Sequence, residues 1–344
     1  MEELKKSIYR VSEVRIAKLR GTKILDYETS EEPILNPRKI NIVTGCNGSF
    51  KTSFLEALTI SLCAMYPDVH NLRLLSSLAS TLRMDPFWHY FLVKEGIDVT
   101  INGYKVISTT YDEVVKVQPS QPLNLIVPPV GIKLVKGDKT LRILRIDIYN
   151  QPPIGWSNIT VQGELIPNIP HYKFIAFSTP NPLTPEFISN FTPLISFATA
   201  KDTLKRLLNI ELLGVKVDEL NRLVVVIAEN SKDVEIQFLG SGLTSFILLT
   251  LASSLDIVIY DNIENHLHPQ LMLKAIKLMK ESNTQWFITT QSEEFLKYLL
   301  TEIEEDIVIY EFIRRNEGVY IRQIDGKKAK YLQNEVLEDL RGIC

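Results

Sequence analysis

The chain has 344 residues, 45% of them hydrophobic and 23% charged, with a net charge of −3. This is room for one large or two moderate domains with ample core, and it excludes an overall positive field that would recruit nucleic acid or anionic membrane. Three cysteines (Cys46, Cys63 and Cys344), none in a C-x-x-C spacing, argue against a disulfide framework or a zinc site, and the longest apolar stretch, Phe246 to Tyr260, is too short and too polar to span a bilayer.

In chain order, Val14 to Ile24 and Tyr27 to Ile34 alternate as two strands, and Ile40 to Thr44 is an apolar strand. Thr52 to Tyr66 carries a helical apolar stripe and ends at Pro67, and a second helix is expected over His70 to Met84. Asn102-Gly103 between two β-rich runs predicts a hairpin, Gly137-Asp138 a second, and Gly163 a third, so 93–170 reads as an antiparallel lobe. His171 to Phe177 reads as a strand, Thr184 to Ile210 as a helix in two pieces, and Val215 to Ala228 and Val234 to Phe238 as strands. The last third predicts a helix over Phe246 to Leu255, a buried strand Ile257 to Asp261, and a helix Gln270 to Ser282. A strand near Trp286 follows, then a strand Ile307 to Phe312 with a hairpin at Asn316 to Gly318, and a terminal helix around Asn334 to Arg341.

The most informative stretch is Gly45-Cys-Asn-Gly-Ser-Phe-Lys-Thr52, set between a strand and a helix. Backbone N–H groups and a helix N-terminus facing one point make an anion site, with Lys51 reaching terminal phosphates and Thr52 ligating Mg²⁺. The usual pattern, G-x-x-x-x-G-K-[ST], has glycine where Phe50 stands, and a ring there resists the backbone angles that glycine allows. The later segments LGSG (239–242), DNIENHLHP (261–269) and TTQS (289–292) follow in order.

Together these segments resemble the ABC-type P-loop ATPase head, in the branch that includes SMC/RecF-like and OLD-like proteins, over residues 12–66 and about 233–341. The resemblance implies an α/β P-loop NTPase fold divided into 1–92, 93–170, 171–232 and 233–344. It implies ATP and Mg²⁺ as ligands: Asn47, Gly48, Ser49, Phe50, Lys51, Thr52 and Ser53 around the phosphates, Thr52 and Asp261 on the metal, and Arg20 near the nucleotide or simply exposed at a strand end. Ser241 and Gly242 match the signature loop, which acts on the nucleotide of an opposing head. The implied partner is a second head, as a homodimer or a heterodimer with a related ATPase head. DNA and an effector protein are further partners by likeness, in a cytoplasmic setting with no membrane.

Three positions depart from the family pattern. Asn262 replaces the glutamate that polarises water, Gln291 replaces a histidine, and Phe50 replaces the glycine, while Glu264 is a substitute base or a structural carboxylate. The readings left open are a nucleotide-dependent dimerisation switch with slow hydrolysis, a pseudo-ATPase scaffold, and an active ATPase using Glu264. His266 and His268 belong to the same loop motif and are read as a dimer contact rather than a zinc site. Gln118, Gln121 and Gln151 are candidates for a metal-contacting glutamine. Lys133, Lys136, Lys139, Arg142 and Arg145 form either a nucleic-acid face or a solvated hairpin, and Phe87, Trp88, Tyr90 and Phe91 are read as core.

Overall fold

A computed structural model describes residues 11–68, 72, 96–117, 129–148, 157–164, 166, 171–176, 197–217, 219, 223–229, 232–235 and 238–342. The helix expected over His70 to Met84, the first part of the one over Thr184 to Ile210, the three candidate glutamines and the Phe87 to Phe91 aromatics lie essentially outside them.

The N-terminal part contains β1 (Val14–Leu19), β2 (Thr22–Asp26), β3 (Ile34–Leu35), β4 (Ile40–Gly45) and helix α1 (Lys51–Met65). Val14 to Ile24 is therefore a hairpin and not one strand. Arg20 and Gly21 both take positive φ, giving a two-residue turn whose twist suits antiparallel strands. Only Ile34 of the expected Tyr27 to Ile34 strand is extended, because Asp26 bonds the N–H groups of Glu28 and Thr29 and turns the chain.

Next come β5 (Asp98–Ile101), β6 (Tyr104–Ser108), the short helix α2 (Tyr111–Val114), β7 (Val130–Lys136), β8 (Lys139–Ile148), β9 (Ser157–Gly163) and β10 (Tyr172–Ala176). The first two expected hairpins are present. The third is not, since β9 pairs back along β8 and Glu164 and Ile166 belong to no strand. Helix α3 (Phe197–Leu208) leads into β11 (Glu211–Val217), β12 (Leu223–Glu229) and β13 (Lys232–Glu235), a separate three-stranded sheet. Val215 to Ala228 thus spans two antiparallel strands, β11 and β12, and not one.

The C-terminal part holds α4 (Ser241–Ala252), β14 (Ile257–Asp261), α5 (Pro269–Glu281), β15 (Gln285–Thr289), α6 (Glu293–Glu302), β16 (Ile307–Arg315), β17 (Gly318–Asp325) and α7 (Gly326–Asn334). Sequence reading missed α6, although Ser292 caps it through the Phe295 N–H at 3.1 Å. The terminal helix sits earlier than expected: Asp325 caps α7 through the Lys328 N–H, and Leu337, at φ 59, lies outside any helix.

The fold is mixed α/β, built on a 14-stranded sheet in the order β10-β14-β15-β4-β16-β17-β2-β1-β5-β6-β7-β8-β9, with β3 beside β1. From β10 to β16 the strands are parallel, and from β1 to β9 they are antiparallel. Parallel strands buried on both faces read as continuous apolar runs, as β4, β14 and β15 do. Helix α1 is buried on nearly every side and packs against β1, β4 to β8, β14 and β15. Its N-terminal end is fixed by the core of both halves of the sheet.

Candidate phosphate-binding site

Ligands in open α/β sheets bind at the carboxyl ends of parallel strands, and here β4, β15 and β14 end side by side at the loop 45–52. Gly45 (φ 137) is required by close approach: a Cβ there would lie 2.3 Å from the Phe312 carbonyl oxygen and 2.6 Å from Ser49 Oγ.

Phe50 takes the left-handed conformation, φ 73 and ψ 15, immediately before α1. The backbone therefore adopts the shape that glycine would adopt more cheaply. The ring is half-buried and packs against one of the two hydrophobic cores, while its carbonyl accepts the Phe54 N–H at 2.9 Å. The buried Lys51 folds back, with Nζ 2.6 Å from the Gly45 oxygen and 2.8 Å from the Cys46 oxygen. Burial lowers its pKa, partly opposed by Asp261 and Glu264.

Behind the loop, Thr52 Oγ1 lies 3.0 Å and 3.2 Å from the two oxygens of Asp261. Thr289, at the end of β15, donates to Asp261 Oδ1 at 2.5 Å and accepts the Asn262 N–H at 2.7 Å. Two hydroxyls thus orient one carboxylate toward the start of α1. Asn262 turns the chain at φ 54. Gln291 Nε2 donates to Asn47 Oδ1 at 2.9 Å, and its backbone N–H to Glu264 Oε1 at 2.8 Å.

Beside these groups opens a cleft of about 580 Å³, whose walls include Arg20, the loop from Asn47 to Ser53, Asn262, Gln291 and Arg314. Arg314 escaped sequence reading. It extends from β16 beyond Phe312, the partner of Gly45, and its guanidinium lies beside Gly48. A basic residue two positions past a buried strand was the available signal.

Ser241 and Gly242 do not line this cleft. They form the first turn of α4, after Gly240 as its N-cap, and a Cβ on Gly242 would meet the His266 carbonyl at 2.5 Å. The signature-like turn and the loop after Asp261 are therefore packed within one chain. His268 caps α5 with its imidazole near the Gln270 N–H, and among the described residues no group of three His, Cys, Asp or Glu could hold a metal.

The five basic residues of the lobe do not share an open face. Arg142 and Arg145 are buried, the latter 2.8 Å from Asp147, while Lys133 pairs with Glu113, Lys139 with Glu164, and Lys136 lies over the Tyr104 ring. Cys46 also departs from expectation: it is held in a disulfide, whereas Cys63 is buried and outside any disulfide. No helix of the described residues is long and apolar enough to cross a membrane.

No family model matches the chain, and no curated protein matches it. Solved structures do. A crystal structure of an Smc head bound to the C-winged helix domain of ScpA aligns at 14% identity and TM-score 0.46, covering 93% of this chain and 99% of that one. The Smc head with an extended coiled coil bound to the C-terminal domain of ScpA, from Pyrococcus furiosus, aligns at 10% identity and TM-score 0.47, covering 95% and 99%. The SMC head domain from Thermotoga maritima aligns at 11% identity and TM-score 0.44, covering 92% and 99%. At these scores the likeness adds nothing to the strand order and loop geometry already described.

Proposed function

We propose that the chain binds ATP with Mg²⁺ in the cleft at the start of α1, and that binding closes two heads, as a homodimer or with a related head, with slow turnover. The observation carrying this reading is the contact of the Thr52 hydroxyl with the Asp261 carboxylate at 3.0 Å, beside a buried Lys51. A hydroxyl and a carboxylate are hard oxygen donors of the kind Mg²⁺ takes alongside phosphate and water. Asn47 to Ser53 would supply N–H groups to the phosphates, and Lys51 would exchange its loop carbonyls for a phosphate oxygen. Arg20 would sit at the nucleotide's far side.

When bound, the metal withdraws charge from the phosphates; the chain's own groups orient and desolvate them. Asn262 cannot take a proton from water, and losing such a base typically costs about 10²–10⁴ in rate. Phe238, 73% exposed and two residues before Gly240, gives the face carrying Ser241 and Gly242 an aromatic anchor for a second head. The division into 1–92, 93–170, 171–232 and 233–344 and a role in DNA maintenance or defence belong to the same proposal.

Isothermal titration with ATP–Mg²⁺ tests it. Micromolar affinity abolished by Lys51→Ala is expected, and no affinity would leave an interaction scaffold. One observation favours a second reading, an active ATPase using Glu264: Glu264 Oε2 is buried with no hydrogen-bond partner among the described residues. In that case Glu264→Gln slows phosphate release strongly while nucleotide affinity is kept.

A further inference from the structure

The loop after β4 has two different flanks. In the sheet order β14-β15-β4-β16, Asp261 and Thr289 end the strands on one side of it, and the end of β16 lies on the other. Phe312 of β16 pairs with Gly45, and its ring packs against Phe54 of α1 with centroids 5.5 Å apart. Side chains alternate along a strand, so Arg314 shares the face of Phe312 and reaches the loop, its Nη1 3.7 Å from where a Cβ on Gly48 would lie. Arg315 takes the opposite face, its guanidinium carbon 5.0 Å and 4.8 Å from the ring centroids of Tyr27 and Tyr320.

Other arginines of the chain are already engaged. Arg15, Arg206, Arg322 and Arg341 each pair with a carboxylate, Arg142 caps α1, and Arg145 is buried against Asp147. Arg314 is exposed on the wall of the cleft and makes no hydrogen bond or ion pair among the described residues. Gly48 and Phe50, at φ 77 and 73, flank Ser49, an alternation that turns successive N–H groups toward one point and makes a concave anion seat. The guanidinium stands beside that seat, on the flank away from the Asp261 carboxylate. Lys51, by contrast, is buried, bonded to two loop carbonyls, and sits in the field of Asp261 and Glu264. A guanidinium stays charged and offers paired donors in one plane, which match two oxygens of a phosphate.

We infer that Arg314 is a second cationic contact for the phosphate chain of the ligand, made on the flank opposite the Thr52–Asp261 pair, and that it selects ligands by phosphate charge rather than by base. For the ligand's identity this rests on the nucleotide reading above. Lys51 takes a phosphate oxygen from within the loop and Arg314 takes one from the rim.

The test is isothermal titration of the full chain with ATP–Mg²⁺ and, separately, with inorganic tripolyphosphate–Mg²⁺, on wild type, Arg314→Gln and Arg314→Lys. Arg314→Gln is expected to weaken both ligands by the same factor, about tenfold, the scale of a hydrogen bond to a charged group. Arg314→Lys should recover part of that loss, and the loss should shrink as salt is raised, because the contact is exposed. The melting temperature should not change, since the side chain has no partner to lose. A loss seen with ATP alone would put Arg314 on the nucleoside and overturn the inference, as would unchanged affinity for both ligands. A wild type that binds tripolyphosphate but not ATP removes the nucleotide reading and leaves Arg314 to be judged by the tripolyphosphate series. A wild type that binds neither overturns both.

Discussion

Phe50 sets a side chain against a backbone. A left-handed conformation costs a non-glycine residue about 1–2 kcal/mol, whereas full burial of a phenyl ring contributes about 1.5–3 kcal/mol. Half-buried, with φ 73, Phe50 nearly balances the two. Phe50→Gly is therefore expected to change unfolding free energy by less than about 1 kcal/mol in urea, while tightening nucleotide binding in titration calorimetry. Thr289 is expected to matter more than its place in the sequence suggested. Thr289→Val removes a donor to Asp261 and an acceptor for the Asn262 N–H, at about 1–3 kcal/mol, and should weaken Mg²⁺-dependent binding more than Mg²⁺-independent binding. Gly45, Lys51 and Thr52 could be read from the sequence because one short loop fixes their spacing. Thr289 and Arg314 could not, since only strand adjacency over hundreds of residues brings them to that loop.

Among the elements, α1 depends on a residue far from its own sequence. Arg142 Nη1 donates to the Ala64 oxygen at 2.7 Å and to the Met65 oxygen at 2.8 Å, and the other amino group meets the Glu164 carbonyl. A cation at the last carbonyls satisfies acceptors and complements the helix dipole. Arg142→Met should cost about 3 kcal/mol or more in urea unfolding, because buried carbonyls lose their donors. On β10, burial pushes the Lys173 pKa down from its ordinary 10.5 to about 7. Between those values the unfolded chain carries a proton that the folded chain does not, so stability from this group rises with pH across that window and is lowest below it. Lys173→Met should flatten the rise in a series of melts from pH 6 to about 10. Hairpins with Asn-Gly or Gly-Asp turns were visible in the sequence because the turn demands those residues. The α7 boundary was not: Glu335 to Arg341 has helix-forming composition, but Leu337 breaks the run with φ 59.

For the whole molecule, the proposal requires mass to change with ligand. Light scattering should report one chain without nucleotide and two with ATP–Mg²⁺, and a single chain in both conditions would sink the switch. Phe238→Ser should weaken that association by about 2 kcal/mol, the scale of a central aromatic anchor, with nucleotide affinity of the single chain retained. The sheet order lay beyond sequence reading. The pattern distinguished antiparallel runs from buried parallel ones, but nothing local states that β2 joins β17 on one side to β1 on the other.

That junction gives α1 an unusual duty. Packed against strands from both halves, the helix acts as a rivet whose head is the loop 45–52. Its central amides should exchange with deuterium only when the whole molecule opens. A ligand that tightens the rivet should then slow exchange in β7 and β8 as well, strands that contribute no residue to the cleft.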